Sequence, residues 1–165
     1  MIGQVHQVNV KPQLQGERGL PKNSMASAYL TYCGLADDFN RYRHEKKNDD
    51  PDMALLLMPL EAIGQLNSEG WPVQPGDIGE NITTVGIPYD NFQPGRIYRV
   101  GGAKIQISEK CDPCSNLYLL PFVGKERGPH FLKTMLNRRG WYARVLQEGL
   151  IAKGDAILYL NHADL

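Results

Sequence analysis

Glycine and proline punctuate this chain about once every six residues, with 17 of the first and 11 of the second among 165. Glycine admits turns with positive φ, and proline removes a backbone donor, so long regular elements are interrupted. What lies between is short and rich in β-branched residues. Ile2–Val10, Tyr29–Tyr32, Met53–Met58, Gly79–Val85, Arg96–Val100, Ala103–Ser108, Trp141–Gln147 and Asp155–Leu160 are predicted strands. Only two helices are predicted. One starts at Pro59, carries Leu60, Ile63 and Leu66 at helical spacing and stops at Gly70. The other starts at Pro129, with Phe131, Leu132, Met135 and Leu136 on one face, and ends over Asn137–Gly140. Residues 12–28 read as a loop crossing the surface, and the polar stretch Ala36–Asp52 reads as a solvated loop. A doubly wound parallel sheet needs helices between most strands, and they are missing. The expectation is a mainly β fold, a closed or nearly closed barrel with a few short helices, in one domain over 1–165.

The length suits a single core. Eighteen basic residues balance 18 acidic ones, so no overall charge draws the chain to nucleic acid or an anionic membrane. The longest apolar run, around Met53–Leu57, is far below the roughly 20 residues of a membrane helix. The start, MIGQVHQVNV, lacks the basic and apolar blocks of a secretory signal. The chain is therefore read as soluble and cytoplasmic, with neither nucleic acid nor membrane as a partner. Three cysteines cannot all pair, which disfavours a secreted disulfide framework.

The densest chemical feature is Cys111-Asp112-Pro113-Cys114. It has four readings: half a zinc site, a redox dithiol, a cofactor-ligating or sulfur-carrying thiol, or core filler. Zinc needs further ligands at close spacing, whereas Cys33, His6, His44, His130 and His162 are scattered. A thioredoxin-like dithiol would open a helix in a βαβ unit, but this motif follows a β-hairpin. For a functional thiol, Cys114 leads Cys111. Pro113 fixes φ before it, and a new segment starting there exposes N–H groups that favour thiolate.

Two further motifs are polar. In Pro75–Thr83 (PGDIGENIT) Gly76 and Gly79 allow a tight turn, from which Glu80 and Asn81 would project at the mouth of a strand. The plain alternative has Asn81 capping the loop and Glu80 paired with an arginine. In Arg138–Val145 three arginines flank two aromatics, a mix suited to phosphate and a flat ring. Alternation puts Tyr142 and Arg144 on one face, and Trp141, Ala143 and Val145 on the other. Trp141 is expected in the core. An Arg144 facing a barrel interior would need an anionic partner, with Glu80 or a bound anion as candidates.

PGDIGENIT, a strand pair ending in a Pro-Cys step, and GWYARVLQEGLIAKGDAI together resemble the MOSC domain family, the C-terminal domain of molybdenum cofactor sulfurases. Lys22, Gly34-Leu35 with Asp37-Asp38, and MALLLMPLEAIGQL fit the same order, so the resemblance covers roughly residues 2–160. It implies a barrel like that of pyruvate kinase. It also implies a molybdenum cofactor (molybdopterin), with Cys114 as catalytic residue and metal ligand and Cys111 as a possible second thiol. Lys22, Arg139 and Arg144 are implied as cofactor-binding through its phosphate, with Glu80, Asn81 and Tyr142 around them. Soft thiolate suits both molybdenum and sulfur transfer. Some members are tail domains of pyridoxal-phosphate sulfurases, a domain not found in these residues. The chain departs from the family pattern at two points. Cys111 stands where many members carry arginine, and His44-Glu45-Lys46 stands where several reductases carry His-Gly-Gly.

Two functions follow as expectations. In the first, the chain binds molybdenum cofactor through Cys114 and reduces a small N-hydroxylated substrate. Its electrons would come from a separate electron-donor protein, since the 165 residues hold no ferredoxin-like extension. In the second, it is a persulfide sulfur carrier, loaded by a cysteine desulfurase, with Cys111 as resolving thiol.

Overall fold

A computed structural model describes residues 2–161. In chain order the strands are β1 (Ile2–Val10), β2 (Asn23–Met25), β3 (Ser27–Thr31), β4 (Gly34–Leu35), β5 (Leu55–Pro59), β6 (Ile82–Val85), β7 (Ile97–Val100), β8 (Ala103–Lys110), β9 (Trp141–Gln147), β10 (Gly149–Ala152) and β11 (Ala156–Leu160). Three helices, α1 (Arg41–Lys47), α2 (Leu60–Ser68) and α3 (Gly124–Met135), lie among them. Seven strands close into a barrel in the order β11-β7-β8-β9-β5-β6-β1, because β1 also pairs with β11. Neighbours run antiparallel except β5 and β6, which are parallel and joined through α2. A small sheet, β10-β3-β4, stands beside the barrel, and β2 extends its edge on β1.

The closed barrel agrees with the expectation from punctuation and strand density. Its filling comes from alternation. Leu55 and Leu57 of β5, Ile105 and Ile107 of β8 and Ala143 of β9 belong to one buried cluster with Val5, Val8 and Ile82. The intervening residues of β5 are buried as well. Met58 joins a second core under α2 and α3 with Ile63, Leu66, Trp71, Phe131 and Met135. Leu56 joins a small third cluster with Met53, Cys111 and Tyr142. Burial on both faces explains why MALLLM reads as a continuous apolar run instead of alternating.

Several predicted boundaries are corrected. Residues 12–28 are not all loop, since β2 and the start of β3 lie there. Ala36–Asp52 contains α1, capped by Asn40, whose side chain accepts from the Arg43 N–H, and then a 3-10 turn over Pro51–Met53. Met53 is therefore outside the strand, which begins at Leu55. The second predicted helix starts a turn and a half early, at Gly124, and runs through Pro129. Pro129 and Lys125 are both exposed, so water can serve the carbonyl the proline leaves unpaired. Gly149–Ala152, read as a connector, is a strand on β3. His162 lies outside the described residues.

Candidate functional site

The site lies outside the barrel wall, over the outer face of β5 and β9. Leu56 and Tyr142 are cross-strand partners on that face, and Cys111 packs with them just past the end of β8. A cavity of about 320 Å³ opens there. Cys114 lines it, and the buried Cys111 does not. Both thiols are free. The chain leaves β8 with the Cys111 N–H on the Gly140 carbonyl, turns at Pro113, and uses Cys114 to start a 3-10 segment, Ser115–Leu119. Cys114 thus sits at the start of a new segment, as the proline predicted.

Arg139 enters this place from the other side. It is nine-tenths buried, and its Nη1 donates to the Asp112 carbonyl at 2.9 Å and the Cys114 sulfur at 3.1 Å. Its Nε has no hydrogen-bond partner among the described residues. Among the described residues no carboxylate forms an ion pair with it. Burial alone would lower its pKa, yet the thiols of Cys111 and Cys114 outweigh that and raise it. Arg139 can exist there because Gly140 lets the chain turn. Gly140 has φ +113°, and a Cβ on it would collide with the Leu57 carbonyl. Burial pushes the Cys111 thiol up, and Tyr142 is also pushed up, first by burial and then by the Cys111 sulfur it hydrogen-bonds.

The other expected site residues divide. Lys22 lines the cavity, but its Nζ lies 2.7 Å from Asp38 and is almost wholly buried. Glu80 and Asn81 do not project from their turn; they are buried and outside the cavity lining. The Glu80 carboxylate turns back to accept from the Gly76 N–H at 2.6 Å and the Thr83 hydroxyl at 2.9 Å, leaving Oε2 unpartnered. Burial raises its pKa to about 7 against those hydrogen bonds. Asn81 donates to Asp38 at 2.8 Å and accepts from the Leu56 N–H at 3.1 Å, tying the turn to β5 and to the partner of Lys22. Arg144 is the largest departure. Alternation on β9 is as expected, with Trp141, Ala143 and Val145 in the barrel core, but the face of Arg144 is the outer one. It pairs with Asp52, at 2.6 Å, and not with Glu80, beside a separate polar hollow. It does not line the cavity.

Sequence reasoning missed one wall. Phe39, Asn40, Arg41, Tyr42 and Lys47 all line the cavity, and they come from the stretch read as a solvated loop. The overlooked signal was Asn40 ahead of seven residues that tolerate helix, followed by Asn48 and Asp49, both of which adopt positive φ. Among the described residues no three His, Cys, Asp or Glu side chains converge to hold a metal ion. A soft metal here would thus rest on thiolate and on donors it brings with it.

A model of the MOSC domain matches residues 42–158, most of the chain. The chain belongs to the MOSC domain family. It is 28% identical over 160 residues to the uncharacterized protein YflK of Bacillus subtilis, covering 90% of this chain and 66% of that one. Over 89 residues it is 35% identical to a protein named "Reductase" from Gibberella moniliformis, which is 52% of this chain but only 15% of the fungal protein. This MOSC chain therefore spans less than two thirds of either relative. The crystal structure of YiiM from Geobacillus stearothermophilus superposes with a TM-score of 0.72 at 28% identity, covering 96% of this chain and 75% of that one.

Proposed function

We propose that the cavity beside Cys114 binds a molybdenum–pterin cofactor and that the loaded chain reduces small N-hydroxylated compounds with electrons from a partner protein. The observation that carries this is the pairing of a cavity-lining thiol with a buried arginine that has no carboxylate partner. A buried guanidinium needs an anion; here Arg139 meets the Cys114 sulfur and keeps an Nε without a partner among the described residues. The donor set fits the group. Cys114 would hold the metal through soft sulfur. Arg139 would steady that sulfur and meet anionic atoms of the cofactor, and Lys22, already ordered by Asp38, would serve its phosphate. Tyr142 and Leu56 form the floor beneath. Arg144 has no place in this set. When bound, the cofactor supplies two-electron removal of oxygen from nitrogen, with release of water.

The fungal relative's name supports a reductase over a passive carrier, within the 89 residues it shares. The test is turnover. Protein from a cofactor-competent host, given a chemically reduced dye, should convert an N-hydroxylated amidine to the amidine and lose that activity in Cys114→Ser. Loaded protein that leaves the substrate intact while accepting a persulfide adduct of about 32 Da on Cys114 from a cysteine desulfurase would overturn the reductase reading in favour of the carrier.

A further inference from the structure

The mouth of the cavity carries a charge excess that neither Cys114 nor a cofactor phosphate site accounts for. Six Lys or Arg side chains line it against two Asp or Glu, in a chain whose charges balance. Two of the six are engaged deep in the wall, Arg139 with sulfur and Lys22 with Asp38. Three others, Arg18, Arg41 and Lys47, line it from the loop before β2 and from α1, and the sixth, Lys110, stands over the Trp141 ring. We propose that these three form a distinct anion subsite that takes the oxyanion group of a small aromatic substrate. The proposal rests on reading the cavity as the small-molecule site.

Several observations make this a built surface instead of three loose side chains. Glu17, the acid nearest in sequence to Arg18, is occupied. Its Oε1 accepts from the Arg18 and Gly19 N–H groups, and its Oε2 pairs with Lys11 at 3.2 Å. The guanidinium of Arg18 therefore remains without a carboxylate among the described residues. Arg41 donates from Nη2 to the Glu17 carbonyl at 3.1 Å, which joins helix and loop into one rim. Among the described residues its carboxylate contact is a 3.4 Å pair with Glu45 in solvent. Lys47 stands over the Tyr42 ring, 5.8 Å from its centre, and forms no ion pair with an acid among the described residues.

The helix that carries two of these cations is fixed. Arg43, buried to more than nine-tenths, donates to the carbonyls of Cys33, Asp49 and Asp50, so α1 is tied to the turn between β3 and β4 and to the chain that follows it. A guanidinium suits this work because its fork of donors serves three acceptors at once. Beside the cations stand Phe39, Tyr42, Met53 and Leu56, apolar surface of the kind a flat ring covers. Cations at the lip of a concave site also focus field into it and attract anions from solution. The concavity favours a small ligand over an acidic protein, which would meet a flat patch better.

The test uses the full chain made in a host without cofactor synthesis, with benzoate and benzamide as matched probes followed by ligand-observed NMR. Benzoate should bind about tenfold tighter at about 20 mM salt, and the preference should shrink at about 200 mM. The exposed double variant Arg18→Gln/Lys47→Gln should bind both probes equally. Molybdenum retention by Cys114 is a separate readout, so failure of the cofactor reading and failure of this subsite are told apart. Equal binding by the parent chain would overturn the proposal. So would a preference that survives in the double variant but vanishes in Lys22→Gln, or binding of polyglutamate with neither probe bound.

Discussion

Arg139 brings a full positive charge into a nine-tenths buried position, where it donates to the Cys114 sulfur. Replacing it with methionine keeps the volume and removes the charge, and should cut molybdenum retention several-fold, while Arg139→Lys restores part of it; metal analysis of the three proteins checks this. Glu80 is buried outside the cavity lining, where its titration bears on stability. Its folded pKa of about 7 lies above the ordinary 4.5, so between those values the native chain holds a proton that the unfolded chain has released. Stability should therefore fall as pH rises from about 4.5 to about 7 and then level off, and Glu80→Gln should flatten that slope in urea melts. At this scale the sequence was informative where geometry is local. Pro113 placed Cys114 at the start of a segment, and alternation sorted Trp141 from Tyr142. It misdirected where a side chain's direction depends on distant partners. Nothing near Arg144 in sequence names Asp52, and nothing in PGDIGENIT shows Glu80 folding back on Gly76.

Helix α1 shows how a charged stretch becomes part of a site. Seven residues with no apolar stripe cannot form a stable helix alone. The helix exists because Asn40 caps it and the buried Arg43 binds three carbonyls around it. Arg43→Met should leave those carbonyls without a donor, cost about 2–4 kcal/mol, and abolish amide protection over residues 41–47 first. Urea melts and hydrogen exchange measure both effects. The turn before β9 makes a second prediction at this scale. Gly140→Ala places a methyl group against the Leu57 carbonyl at a φ that disfavours alanine, and should destabilise by about 1–3 kcal/mol by the same melts. Strands with β-branched residues between glycines were legible as strands. Helix α1 was not, because its stability comes from long-range hydrogen bonds that no periodicity records. Pro129 inside α3 misled for a related reason, since an exposed helix face tolerates a missing donor when water is near.

On the scale of the whole molecule, the barrel does two jobs. Closure of β1 on β11 joins the two edges of the seven-stranded sheet, and the core residues fill the interior. The candidate site lies outside, where strand ends, a proline-led segment and α1 meet over the outer face of β5 and β9. Barrel and family were readable from punctuation, strand count and motif order. The cationic wall was not, because it forms only when residues near 18 and residues 39–47 are brought together. No helix among the described residues is long and apolar enough to cross a membrane. The account as a whole turns on sulfur from one cysteine holding a metal. Chain expressed in a cofactor-competent host and purified without added metal should carry about one molybdenum atom, and the Cys114→Ser chain, folded to the same melting point, should carry almost none. Equal molybdenum in the two proteins would contradict the assignment.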